Sequence, residues 1–381
     1  MIEVANRLKN VQEYYFSVKL KEVAFLKSQG KPIINLGIGS PDLNPPFKAV
    51  MALEDSLNQD GAHKYQSYQG LPELRDAMAE FYKSHYKVHL SAKTEILPLM
   101  GSKEGIMHIS MAFLNKGDAV LIPNPGYPTY ASVANLLEAK PMYYDLNEEN
   151  NWLPDFVALE RMDLSKVKIM WVNYPNMPTG SNATHKFYDD VIAFGKRHNI
   201  LIVNDNPYSF ILNDKPKSIL QYRQAKDICL ELNSVSKAYN MAGWRVGMLV
   251  GNYDYVNAVL TVKSNMDSGM FYGIQKGAIE ALNSSNLWFE SLNSIYRNRR
   301  KLIWELADAL NCTYSDETSG LFVWAKLPPH MKSEEFTDLV LKEHSIFIAP
   351  GTVFGSNGEG YVRFSLCQEQ EVIEEAIARV R

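Results

Sequence analysis

Residues 234–247 read Ser234-Val-Ser-Lys-Ala-Tyr-Asn-Met-Ala-Gly-Trp-Arg-Val-Gly247, with a lysine close behind two hydroxyls and an arginine eight positions further on. Lys237 offers an amine that can condense with an aldehyde, and Ser234 and Arg245 can clamp a phosphate carried on the same small molecule. An SxSK string alone is weak evidence, but the glycine and arginine at fixed offsets make the stretch specific. Its setting is also informative. From about residue 94 to 250, short β-rich runs at 96–99, 119–122, 142–146, 168–173, 200–204, 228–233 and 246–250 alternate with amphipathic stretches at 103–114, 130–138, 184–198 and 253–262. Alternation of this kind predicts a mostly parallel sheet covered by helices, and ligands in such sheets gather at the C-terminal ends of the strands.

Beyond Gly269 the pattern changes to two helical segments, the second at about 286–310, where Arg297, Arg299, Arg300 and Lys301 read as a solvated face. Residues 320–327, 334–343, 345–348, 361–366 and 369–380 then read strand, helix, strand, strand, helix. The expected division is a large domain over 47–285 and a smaller α/β domain over 286–381, which the N-terminal segment 1–46 joins.

The 381 residues, 46% apolar and 22% charged, can bury a large core and contain no disordered tract. A net charge of −4 argues against a nucleic-acid or anionic-membrane surface. The expected partners are therefore small molecules and a second copy of the chain. Cys229, Cys312 and Cys367 form no CxxC pair and read as buried thiols in a reducing compartment. The start of the chain has no apolar leader, and no run approaches membrane-spanning length. Cytoplasmic localisation is the expectation. The eight histidines are scattered without metal-ligand spacing, so no metal is assigned.

Four further motifs follow predicted strands. Gly101-Ser-Lys-Glu-Gly105 is a glycine-started turn feeding a helix, whose free N–H groups and positive dipole end suit a phosphate. Pro123-Asn-Pro-Gly-Tyr-Pro-Thr-Tyr130 presents an aromatic ring at a strand end, and Asp205-Asn-Pro-Tyr208 presents a carboxylate there. Asn173-Tyr-Pro-Asn-Met-Pro-Thr-Gly180 is the fourth.

With the 234–247 stretch, these motifs resemble, in order, those of the class I/II aminotransferases, pyridoxal-phosphate enzymes of fold type I. The pattern is most similar to the subgroup of LL-diaminopimelate and alanine aminotransferases. The resemblance spans Gly37 to Arg363 and implies a seven-stranded, mostly parallel large-domain sheet with a smaller α/β domain. It implies pyridoxal 5'-phosphate on Lys237, with its phosphate held by Ser102, Lys103, Ser234 and Arg245. Tyr127 would stack on the ring, Asp205 would pair with the ring nitrogen, and Tyr208 would donate to the phenolic oxygen. An opposite charge at contact distance moves a pKa by about 1–3 units, so Asp205 would keep the ring protonated and electron-accepting.

For the substrate, the resemblance implies that Arg363, in Tyr361-Val-Arg-Phe-Ser-Leu366, forks onto the α-carboxylate, near the backbone of Gly39 in Ile34-Asn-Leu-Gly-Ile-Gly-Ser-Pro-Asp42. Tyr65, in His63-Lys-Tyr65, would reach the cofactor phosphate of a neighbouring subunit, implying a homodimer with a shared active site, and Ser264-Asn-Met-Asp-Ser-Gly269 would lie near that interface. Tyr14, Tyr15 and Met270 are candidates for the side-chain pocket or, equally, for core or interface positions.

One position departs from the family pattern. Met177 stands where the family carries an asparagine that donates to the phenolic oxygen, and a thioether cannot donate. Tyr208 is then the main donor, Asn176 offers a substitute, and the pKa of the lysine–cofactor imine should be higher than is usual for the family. The implied activity is transfer of an amino group from an α-amino acid to a 2-oxo acid, with 2-oxoglutarate the expected acceptor, by a ping-pong mechanism. The alternatives are a carbon–sulfur β-lyase and a non-catalytic ligand sensor. Retention of Lys237 and the lack of a basic DNA-binding extension count against the sensor.

Overall fold

Five of the seven strands in the central sheet are buried at every residue, which follows from their apolar-rich sequences and from apolar cores on both faces. The computed structural model describes residues 2–381 apart from Gln12 and Tyr14, so Tyr14 lies outside the described residues. Across the sheet the strands run Ile96–Leu99, Gly247–Gly251, Cys229–Ser234, Leu201–Asp205, Val167–Val172, Ala119–Asn124 and Lys140–Asp145. All pairings are parallel except those of Gly247–Gly251, which is antiparallel to both neighbours.

That one reversal positions the site. Because Gly247–Gly251 runs backwards, its first residue lies at the edge where its neighbours end, and Gly247 pairs with both Leu99 and Ser234. Arg245, two residues upstream, is thereby delivered to the same edge as the turn after Leu99 and the lysine after Ser234. The expected helices form at Ser102–Phe113, Thr129–Leu136, His185–His198 and Tyr253–Lys263. Two of them have side-chain caps: Thr184 Oγ1 accepts from Phe187 N at 3.0 Å, and Asn252 Oδ1 accepts from Asp254 N at 2.8 Å.

A second, antiparallel sheet of Ala349–Pro350, Tyr361–Ser365, Phe322–Lys326 and Thr313–Tyr314 packs with Ser333–His344, Gln370–Val380 and the long helix Asn286–Ala309. Ile34–Asn35 pairs in parallel with Ile346–Phe347, which ties the N-terminal segment to this unit. The sequence reading missed the helices Tyr15–Ser28, Phe47–Ser56 and Pro72–Phe81. The last two pack against Tyr272–Leu282.

The charge run on Asn286–Ala309 is not a uniformly solvated face. Arg297 and Lys301 are exposed, but Arg299 is only 4% exposed and forks onto Asp42 with two 2.7 Å bonds while also donating to Leu366 O. Arg300 is half-buried over the Trp304 ring and donates to Thr318 O at 2.8 Å. Helical periodicity turns two of the four charges inward, where carboxylate and carbonyl partners receive them. The three cysteines are free and buried, and among the described residues no helix is long and apolar enough to cross a membrane.

Candidate active site

A cavity of about 680 Å³ opens where the C-terminal edge of the large sheet meets the antiparallel unit. Ser102, Lys103, Tyr127, Asp205, Tyr208, Ser234, Lys237 and Arg245 line it together with Gly39 and Arg363. Ten of the eleven residues given a catalytic, cofactor-binding or carboxylate-binding role from sequence thus converge, although they span residues 39 to 363. Tyr65 is the exception.

One corner is built for an anion. Gly101 holds a φ of +95°, and a Cβ there would sit 2.1 Å from Arg245 Nη2. A Cβ on Gly247 would sit 2.6 Å from Ser102 N. The two glycines therefore let the guanidinium and the first amides of helix Ser102–Phe113 crowd into one cradle. Arg245 itself takes the left-handed conformation, φ +56°, and is fixed by donating to Ala242 O at 2.9 Å. Ser234 caps the short turn Val235–Ala238, its Oγ accepting from Ser236 N at 3.0 Å, and so aims Lys237 into the cavity. Lys103 is half-buried, and burial followed by Arg245 pulls its amine below the usual lysine pKa.

Lys237 Nζ donates to Gly39 O at 2.6 Å. Burial, foremost, pulls its pKa down; Arg363 and Arg245 add to this and Cys367 opposes it. A lysine so placed is more readily the neutral nucleophile.

Asp205, 5% exposed, accepts from Tyr130 Oη at 2.9 Å through Oδ2, while its buried Oδ1 has no hydrogen-bond partner. Burial pushes its pKa up to about 7, against the Tyr130 bond and with a smaller push from Glu231. Tyr130 is held by stacking on Trp171, centroids 4.9 Å apart, and meets Tyr127 edge-on at 5.6 Å. A protonated ring nitrogen would supply the donor that the orphaned oxygen lacks. Together with the anion cradle and the depressed lysine, this donor set fits pyridoxal phosphate.

At the opposite wall Arg363, 4% exposed, donates to Gly37 O at 2.7 Å and to Met177 Sδ at 3.2 Å. Its guanidinium lies 3.8 Å from the Phe322 ring centroid, 4.6 Å from that of Phe354 and 5.3 Å from that of Phe16. Gly39 is required by this packing, since a Cβ there would lie 2.2 Å from Phe322 Cζ. Tyr208 meets Phe322 edge-on at 5.8 Å, and burial raises its hydroxyl pKa strongly.

Several expectations need correction. Asn176 does not stand in for the missing asparagine: its side chain closes the 173–181 turn, bonding to Asn173 O and Thr179, and it does not line the cavity. Met270 and Tyr15 are absent from the lining too, Met270 because it is buried in the large core and Tyr15 because it packs on the small-unit core. Tyr65, read from sequence as reaching a neighbouring subunit and not its own cavity, is 90% exposed in a separate groove of about 620 Å³ with Gln66, Gly269 and Phe271.

Sequence reasoning missed Tyr130 and Asn173, which orient Asp205 through its carboxylate and its backbone oxygen. Their positions within quoted motifs were the available signal. It also missed the contact of Glu104 and His108 with Asp267, whose candidate ligand atoms lie within 4.8 Å of one another. Lys263 already supplies a cation to that cluster, donating to Asp267 at 2.9 Å and to Tyr68 O at 3.0 Å.

The fold and the convergent lysine, arginines and aspartate define a class of enzyme. The chain belongs to the class I and II aminotransferase family, whose sequence model matches residues 31–380, and it is a pyridoxal-phosphate-dependent aminotransferase of fold type I. It is 39% identical to LL-diaminopimelate aminotransferase of Dehalococcoides mccartyi (strain ATCC BAA-2266 / KCTC 15142 / 195), over 100% of this chain and 98% of the relative. It is 40% identical to the enzyme of the same name from Aquifex aeolicus (strain VF5), covering 100% and 99%. Among solved structures, apo-BacF from Bacillus subtilis matches with a TM-score of 0.95 at 37% identity, over 100% of this chain and 98% of that one.

Proposed function

We propose that the protein moves the amino group of an α-amino acid to 2-oxoglutarate in two half-reactions at this one cavity. The observation that carries the reading is the environment of Lys237, an amine depressed by burial and within electrostatic reach of both Arg245 and Arg363. When bound, pyridoxal phosphate supplies an aldehyde to take up the amino group and a ring to accept the electrons left by the departing α-proton. Lys237, released by the incoming amino acid, takes that proton from one carbon and returns it at another. Asp205 holds positive charge at the ring nitrogen, and Tyr130 and Asn173 hold Asp205. Ser102, Lys103, Ser234 and Arg245 would hold the phosphate, Tyr127 would cover the ring, and Tyr208 would donate to the phenolic oxygen.

Arg363 orients the α-carboxylate beside Gly39. The division into 47–285 and 286–381, with 1–46 joining the latter, is consistent with the separate apolar cores that underlie the two sheets. The exposure of Tyr65 supports its crossing to a second copy in a homodimer, and the buried free thiols support a cytoplasmic setting.

An absorption spectrum of the purified holoenzyme, recorded with a panel of amino acids and then with 2-oxoglutarate, tests the reading. Loss of the lysine-bound cofactor band with an amino acid, and its return with the oxo acid, is the expected result. Pyruvate and ammonia or thiol formed without any acceptor would instead identify a β-lyase.

A further inference from the structure

The cavity has two chemically distinct walls. Around Lys237 the lining is polar, but the wall facing it is formed by Phe16, Leu20, Ile38, Met177, Phe322 and Phe354. Three of these rings surround the Arg363 guanidinium at 3.8–5.3 Å, so a carboxylate seated on that arginine would turn its α-substituent against aromatic and aliphatic surface. Among the described residues the lining contains a single carboxylate, Asp205, whose Oδ2 is taken by Tyr130. Ser17, the polar residue among these apolar neighbours, donates its hydroxyl to Glu13 at 2.7 Å, and that carboxylate is already neutralised by Lys21 at 2.6 Å.

Such a wall sorts substrates by side chain. Covering a Phe, Leu or Met side chain with apolar surface is favourable. A distal ammonium brought there without an acceptor loses its hydration, at a cost of several kcal/mol. We infer that the amino donors of this enzyme are α-amino acids with uncharged apolar side chains, aromatic ones foremost, and that donors with a distal ammonium, LL-diaminopimelate and lysine, are poor. The inference rests on the transaminase reading and deepens it. It separates this chain from the substrate in the name of its relatives near 40% identity.

The test mixes holoenzyme rapidly with L-phenylalanine, L-leucine, L-methionine, L-glutamate, LL-diaminopimelate and L-lysine, and reads the efficiency of each first half-reaction from the cofactor band. Calorimetry compares two non-reacting acids, 3-phenylpropionate and 6-aminohexanoate. The expected result is at least a 10-fold higher efficiency for the best apolar donor than for either distal amine, and at least 10-fold tighter binding of 3-phenylpropionate. Leu20→Glu, which places a carboxylate on the exposed side of the wall, should narrow both ratios several-fold. Equal or better reaction of LL-diaminopimelate or lysine, or equal or tighter binding of 6-aminohexanoate, overturns the inference while leaving transamination standing. A cofactor band that no amino acid changes, glutamate included, overturns both readings.

Discussion

The two walls of the cavity differ in how their residues reach it. Those around Lys237 and Asp205 come from turns directly after strand ends, and each sits within three residues of a strand or helix terminus fixed by the sheet. Those around Arg363 come from segments as far apart in sequence as Phe16, Gly39, Phe322 and Phe354, gathered by the packing of the small-unit core, with Met177 added from the large unit. Backbone geometry therefore positions the polar wall, whereas side-chain packing positions the apolar one. Damage to the first should change chemistry, and damage to the second should change binding.

The largest effect should come from Asp205→Asn. Removing a preorganised charge partner costs on the order of 10²–10³-fold in kcat, with KM for the amino acid little changed. The same variant separates the two walls by pH. Asp205 has a folded pKa of about 7, well above the ordinary aspartate value near 3.9. The folded apoenzyme therefore holds this proton more tightly than the unfolded chain, and stability is lost as pH rises from about 4 to 7. Apo Asp205→Asn should match the wild-type apoenzyme below about pH 3.5 and exceed it at pH 8 by roughly 2–4 kcal/mol, read by denaturant titration. A difference that stays constant with pH would mean that Asp205 is not the buried acid described here.

Arg363→Lys tests the other wall. A lysine keeps the charge but loses the fork and the aromatic stacking, so KM for amino acids should rise about 10–100-fold while kcat falls far less. A reversed split, with kcat carrying the loss, would place Arg363 in the chemistry. Arg299→Ala removes the pair that holds Asp42, three residues from Gly39. With Asp42 partly exposed, it should cost about 2–3 kcal/mol of stability and weaken amino-acid binding more than cofactor binding, as equilibrium unfolding and dialysis would report. The smallest effect belongs to Met177→Asn. Restoring a donor near the phenolic oxygen should lower the spectroscopic pKa of the lysine–cofactor imine by about one unit, and an unchanged pKa would leave Tyr208 as the sole determinant.

Legibility in the sequence follows the same division. The polar wall could be read because its motifs are contiguous and sit at strand ends: the glycine turn before Ser102, the carboxylate closing Leu201–Asp205, and the lysine and arginine in the link between Cys229–Ser234 and Gly247–Gly251. The central sheet was legible for a related reason, since buried strands leave short apolar-rich runs between helical stretches. The apolar wall was not, because Phe16, Leu20 and Phe354 look like any core residue until the two sheets are docked. Asn176 and Met270 show the converse, since proximity in sequence to a motif did not put their side chains in the cavity. The inward turn of Arg299 depended on a partner 257 positions away, which helical periodicity alone does not reveal.

The central claim is that Lys237 carries the cofactor in a cavity shared by Asp205, Arg245 and Arg363. Borohydride reduction of the holoenzyme, followed by digestion and peptide mass spectrometry, tests it most directly. The account predicts one pyridoxyl modification per chain, on the peptide bearing Lys237, and none in Lys237→Ala. Modification centred on Lys103 or on another lysine, or undiminished labelling of the Lys237→Ala variant, would contradict it.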